Sequence, residues 1–315
     1  MSRYDHIVEI EKGRYDRIEE VAKFNPYHDS RGRFSTADGA ASFTYKPGQG
    51  AMYDNAIRRE KERMAAQIPG PKKGLADGLG EEHAKAIEKL IQDNSPQAVK
   101  DMWNRFGDDI EVGDAKYERG AHCSNGKVYL DVEKDAAGYM TRDGRPGKSP
   151  YQVSIHESAH AVDDLVSGLV GYEFAVEHNG RKFESLLIKE SNAYIKAFQK
   201  NLQAERGYKV NIEETRKALS ASFFAEKDNL STGMLSDILG GATKGKFVGT
   251  SGHPKDYWTG FQTYYGKVPG KSVATEAWAH FTSIAANEKA AARLKSVFPE
   301  SYNEYLSMCE YAATL

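Results

Sequence analysis

His156, Glu157 and His160 stand in the order His-Glu-Ser-Ala-His over residues 156–160. On a helix, side chains four apart project from one face, so both imidazoles can reach one ion. Imidazole is the commonest zinc ligand, and an acid between two such ligands can take a proton from water that the ion activates. The chemistry implied is hydrolysis. Activated water attacks a polarised carbonyl, and Glu157, once protonated, can hand its proton to the leaving amine. The flanking residues suit a helix. Ile155, Ala159, Val162 and Val166 form an apolar stripe, His156, His160 and Asp163 or Asp164 share the adjoining face, and Gly168 is expected to stop the helix. Asp163 or Asp164 is then placed to orient a ligand imidazole.

Two histidines and a water leave a catalytic zinc site one protein ligand short. Downstream candidates are Glu173, Glu177, Glu184, Glu190, Glu276 and His280. The extended form HExxHxxGxxH is absent, because Asp163 stands where its glycine would be and Val166 where its third histidine would be. Glu276 is the expected third ligand. Ala274, Ala277, Trp278 and Phe281 around it mark a buried helix, where an unpaired carboxylate is costly and a cation would satisfy it. The helix carrying Glu184 and Glu190 is the alternative source.

These side chains need elements to hold them. Lys127-Val128-Tyr129-Leu130-Asp131-Val132 alternates and reads as a strand, the edge on which an extended substrate would pair. Periodicity predicts helices at about 81–93, 97–105, 183–204, 212–226, 271–287 and 289–314, the last broken near Pro299, while 240–254 reads as loop. Residues 76–315 are therefore expected to form one α+β, predominantly helical domain with a small sheet and an active-site helix. Residues 1–75 read differently: a helix at 7–23, a mostly irregular arm at 24–36 and a charged helix at about 54–67. The arm is too poor in apolar residues to offset its ordering entropy, which suits a linker or docking segment.

Composition narrows the classes. The 45 acidic and 43 basic residues leave a formal charge of −2, so no electrostatic footprint for nucleic acid or an anionic membrane is expected. No apolar run is long enough to span a bilayer, and the N-terminus lacks the pattern of a secretory signal. Cys123 and Cys309 are far apart in sequence, form no CxxC pair, and read as buried free thiols of a reducing cytoplasm. Trp258 and Trp278 read as core aromatics.

His156-Glu157-Ser158-Ala159-His160-Ala161-Val162-Asp163-Asp164 resembles the active helix of gluzincins, whose third zinc ligand is a Glu on a later helix. Glu276-Ala277-Trp278-Ala279-His280-Phe281 resembles the corresponding segment of the lethal-factor-like branch. The resemblance implies a zincin-like catalytic domain, a Zn2+ cofactor held by His156, His160 and Glu276, Glu157 as general base, and endopeptidase action on a protein or peptide. That branch often carries a Tyr or His between the two segments that helps stabilise the oxyanion. In Gly252-His253-Pro254-Lys255-Asp256-Tyr257-Trp258 the equivalents are His253 and Tyr257, with Tyr264 and Tyr265 as further candidates. The 116 residues from His160 to Glu276 imply a helical insertion at about 183–240.

Phe24-Asn25-Pro26-Tyr27-His28-Asp29-Ser30-Arg31-Gly32-Arg33-Phe34-Ser35 is similar to a segment of phage minor head and head-morphogenesis proteins. This implies a phage or prophage origin, phage head or capsid proteins as partners, and a place in the bacterial host cytoplasm or on the virion. The competing expectation is a phage structural or interaction protein whose metal-stabilised, zincin-like domain is not catalytic.

Overall fold

The structure, a computed structural model, describes residues 72–113, 121–140, 146–225, 232–247, 253–263 and 266–315. The expectations placed on 7–36 and 54–67, and on Tyr264 and Tyr265, lie outside these residues.

Local signals shape the first helices. Gly80, at φ 92°, separates α1 (Lys73–Leu79) from α2 (Glu81–Asn94), and Pro96 sits in extended backbone before α3 (Gln97–Phe106). Their inner faces bury Leu75, Ile87, Ile91, Val99, Met102 and Trp103.

A small sheet follows. Strands β1 (Glu111–Val112), β2 (His122–Ser124) and β3 (Lys127–Tyr129) lie in the order β1-β3-β2, with β1 parallel and β2 antiparallel to β3. Asn125 and Gly126, at φ 52° and 72°, join β2 to β3 in a two-residue turn whose positive φ values match the twist of the strands. The strand expected over 127–132 is therefore shorter and central, and the outer strands of the sheet are β1 and β2. Asp131 ends the extended stretch by accepting from the Lys134 N–H, which caps α4 (Val132–Ala136). A ribbon of β4 (Tyr139–Met140) and β5 (Pro146–Lys148) leads to the motif helix.

That helix is α5 (Gln152–Val170). Its first turn is held by Asp135, whose carboxylate accepts from the Val153 N–H at 3.2 Å and from the Ser154 N–H and Oγ at 2.6 Å. Ile155, Ala159, Val162 and Val166 are all buried. The helix runs past Gly168 and stops at Gly171, whose left-handed φ of 78° is the true cap.

Next come α6 (Phe174–Arg206), α7 (Ile212–Ala225) and α8 (Thr232–Ala242). The backbone of α6 leaves helical geometry at residues 178–181, so its regular part begins near the expected 183. Helix α8 occupies part of the expected loop. A Cβ on Gly241 would lie 2.8 Å from Trp258 and 2.9 Å from Val273, so this glycine serves close packing, not a turn. Then follow α9 (Lys255–Thr259), a ribbon of β6 (Phe261–Thr263) and β7 (Gly266–Val268), α10 (Val273–Ala285), α11 (Glu288–Val297) and α12 (Pro299–Ala312).

The core is centred on α5 and α10, the most extensively packed pair of helices; α10 also touches α6 and α8. Trp258 and Trp278 are buried as expected. Residues 69–315 make one compact unit, predominantly helical with small sheets. No helix among the described residues is long and apolar enough to cross a membrane.

Candidate metal centre

Helix α5 presents His156 and His160 one turn apart, their ring centroids separated by 4.8 Å and their planes perpendicular. Helix α10 brings Glu276 against them. Its Oε2 lies 3.5 Å from His156 Nε2 and 3.6 Å from His160 Nε2. The helix is fixed at its start by Ser272, whose Oγ accepts from the Ala274 N–H at 3.1 Å and donates to Glu184 at 2.8 Å.

Glu276 is 2% exposed, and its two oxygens are treated differently. Oε1 accepts a hydrogen bond from the Tyr257 hydroxyl, whereas Oε2 is buried without a hydrogen-bond partner. Leaving a carboxylate oxygen so placed is expensive unless a cation meets it. The donor atoms of His156, His160 and Glu276 all lie within 4.8 Å of one another. Donors around a tetrahedral zinc, with bonds of about 2.0–2.1 Å, stand roughly 3.3 Å apart, close to the separations found here. The residues present fit such an ion.

The electrostatics agree. Burial opposes the charge on Glu276, but the imidazoles of His160 and His156 hold its carboxyl well below the usual carboxylate range. Burial, with His280 alongside, pushes His156 down to about 3, keeping it neutral as a ligand must be. Burial also works against a charged His160, yet Glu276 outweighs it and raises that imidazole to about 9. A protonated His160 thus answers the charge of Glu276, and a bound ion would take the place of that proton.

Glu157, the acid between the histidines, is 8% exposed, and burial raises its carboxyl above the ordinary range, which suits a group that must hold and release a proton. It lines a groove of about 880 Å³. The groove is lined by β2 and the turn that follows it, by α5, by Thr275 and Glu276 of α10, and by His253, Tyr257 and Lys271. Gly126 at the hairpin tip donates its N–H to Asp164 at 2.9 Å, docking the hairpin on α5.

All six expected site residues therefore border one groove. His253 stacks on Tyr257 with centroids 3.8 Å apart and planes 14° from parallel. The alternative ligands are committed elsewhere. Glu184 takes Arg181 and Ser272, while Glu190 accepts from the N–H groups of Glu300 and Ser301 at 2.8 and 3.0 Å, capping α12. The expectation that Asp163 or Asp164 orients an imidazole gives way to other bonds: Asp163 accepts from the Ala175 N–H at 2.8 Å, and Asp164 from Gly126. His280, weighed as a ligand, turns its Nε2 to Asp237 at 3.0 Å.

Sequence reasoning gave no role to Asp237 and did not find the β2 hairpin. Both had signals. Asn125-Gly126 is the strongest short hairpin pair, and Asp237 is the lone acid in Met234-Leu235-Ser236-Asp237-Ile238-Leu239, where a buried charge demands partners. Asp237, His253 and Glu276 also offer donors within 4.8 Å of one another. That second trio is already satisfied, Asp237 by His253 and His280 and Glu276 Oε1 by Tyr257. Of the two Glu276 oxygens it is Oε2, without a hydrogen bond, that faces His156 and His160.

Compared with protein-family models, curated proteins and solved structures, the chain matches none of them.

Proposed function

We propose that the chain is a zinc-dependent endopeptidase, with His156, His160 and Glu276 holding the ion. The observation that carries this reading is the buried Oε2 of Glu276, without a hydrogen bond and set 3.5 and 3.6 Å from two histidine nitrogens. An acid lies between those histidines and an open groove above them. A purely structural zinc site closes with four protein ligands and has no use for Glu157.

The chemistry supplied by zinc in such a set is Lewis acidity, which makes water ionisable near neutral pH and polarises a carbonyl. The protein's own groups do the rest. Glu157 takes the proton of the attacking water on its carboxylate and returns it to the leaving amine; its raised pKa strengthens it as the base in the first transfer. His253, as an imidazolium that donates from Nε2 while Nδ1 serves Asp237, and Tyr257, once its hydroxyl turns from Glu276, would hold the oxygen that gains charge. An extended peptide lies along β2, the outer strand beside the groove, and main-chain hydrogen bonds hold it.

This matches the gluzincin resemblance, with a zincin-like catalytic domain of the lethal-factor-like branch. The resemblance of residues 24–35 to phage head-morphogenesis proteins makes a phage or host protein the natural substrate.

The test is zinc content of wild type, Glu276→Ala and Glu157→Gln, paired with hydrolysis of a general protein substrate. One zinc per chain in wild type and Glu157→Gln, activity in wild type alone, and loss of both in Glu276→Ala are expected. Zinc without hydrolysis in the wild type would leave the metal-stabilised interaction protein as the better reading.

A further inference from the structure

Asp237, on α8, lies beside the centre without taking part in holding the ion. It is 3% exposed and meets one backbone N–H and two imidazole nitrogens. The backbone N–H of His253 reaches Oδ1 at 2.7 Å, His253 Nδ1 reaches Oδ2 at 3.0 Å and Oδ1 at 3.1 Å, and His280 Nε2 reaches Oδ2 at 3.0 Å. Burial opposes its charge, but the hydrogen bonds from His253 and His280 win and bring its pKa down to about 2. An ionised carboxylate only accepts, so each ring nitrogen that faces it must carry a proton.

The consequence differs for the two rings. His253 carries a proton on Nδ1 both as the neutral ring and as the imidazolium that donates from Nε2, and stacking on Tyr257 holds the plane of the ring. His280 sits one helical turn after Glu276 on α10, with its ring 4.6 Å from that of His156. One carboxylate thus joins the groove wall to the helix that supplies Glu276.

We propose that Asp237 is a positioning residue, fixing the His253 imidazole with its proton on Nδ1 and tying it through His280 to α10. The effect on rate rests on the hydrolase reading above; the place of the proton does not. An amide cannot substitute. Asparagine keeps one acceptor oxygen and adds an NH2 that needs an acceptor, so one of the two imidazoles must shift its proton to its other nitrogen.

The experiment uses the full chain, zinc-loaded and labelled with 15N-histidine. Imidazole 15N spectra are recorded for wild type and Asp237→Asn, with His253→Gln and His280→Gln assigning the signals. Wild type should show His253 protonated on Nδ1 and His280 on Nε2. In Asp237→Asn one of them should switch, zinc per chain should hold, and kcat should fall on the order of 10²–10⁴ with KM unchanged, as when the carboxylate behind a catalytic imidazole is neutralised. A wild-type His253 bare at Nδ1 overturns the proposal, whether or not the variant folds. So does an Asn variant with both tautomers and kcat unaltered. A wild type that hydrolyses nothing but carries the proton on Nδ1 sinks the hydrolase reading and supports the positioning role.

Discussion

The indole N–H of Trp278 donates to the main-chain carbonyl of Ala159 at 2.9 Å, joining α10 to α5 inside the core. Ala159 precedes His160 and Trp278 follows Glu276 by two residues, so this bond sets the height of the carboxylate over the two imidazoles. Trp278 is fully buried among Phe174 and Tyr305, which meet its ring edge-on at 5.5 and 5.3 Å.

Trp278→Phe keeps an aromatic ring but removes the N–H and part of the volume. A loss of about 2 kcal/mol in urea unfolding is expected, from one buried hydrogen bond and a partly unfilled site. Zinc affinity should fall with it, because Glu276 loses its reference to α5. Lower stability with unchanged affinity would show that the bond merely packs the helices.

Glu190 and Glu276 are both buried acids on helices, yet they answer to different partners. Glu190→Ala uncaps α12 and strands the N–H groups of Glu300 and Ser301, for a cost of about 1–2 kcal/mol. Zinc per chain after dialysis should not change. Glu276→Ala should abolish zinc retention, and the reverse pattern would move the ligand to α6.

The motif helix, its apolar stripe and the buried helix around Glu276 were legible because a 3.6-residue period and a costly buried charge are written in local sequence. The end of α5 was misplaced by three residues because Gly168 and Gly171 are equivalent in sequence; only the left-handed φ of Gly171 decides. Helix α8 was hidden by Gly240 and Gly241, whose need is the close approach of Trp258 and Val273, a long-range contact. The use of Asp163 and Asp164 was unreadable for the same reason, since Ala175 and Gly126 are brought to them by the fold. Asp237 is the sharper case. Its burial could be inferred, but not that two histidines from other segments would share it.

Asp237 also makes stability depend on pH. Its pKa in the folded protein is held down to about 2 against an ordinary 3.8, by His253 and His280 prevailing over burial. A depressed carboxylate stabilises the fold fully above its ordinary value, and that contribution is lost as pH falls through about 2. The shift corresponds to about 2 kcal/mol. The unfolding free-energy gap between wild type and Asp237→Asn should therefore be largest near pH 5.5 and shrink by pH 2.5. A gap independent of pH would mean that the carboxylate's charge is not what matters.

The docking of the hairpin predicts a different kinetic signature. Asp164 is exposed, and its bond to the Gly126 N–H holds β2 over the groove. Asp164→Ala should leave stability within about 0.5 kcal/mol, as for most surface changes. A loosened β2 weakens the hold on an extended peptide, so KM should rise several-fold with kcat nearly unchanged. A fall in kcat at constant KM would place Asp164 nearer the chemistry than its hydrogen bond implies.

The thiol on β2 gives a readout that needs neither zinc nor substrate. Cys123 is only partly buried, against expectation, whereas Cys309 is fully enclosed. Burial, then the charges of Asp164 and Glu157, push the Cys123 thiol from 9.0 up to about 12. The thiolate is the reactive form, so at pH 8 roughly a thousandfold fewer Cys123 side chains are reactive than for an ordinary cysteine. Alkylation by iodoacetamide should be slow in the native protein and fast for both thiols in urea. Since burial is the largest cause, Asp164→Ala should speed Cys123 only partly toward the unfolded rate. Full recovery in that variant would instead mean that the hairpin had left α5, which would also account for any rise in KM. A native Cys123 that reacts as fast as the unfolded chain would show that β2 does not lie over the groove in solution.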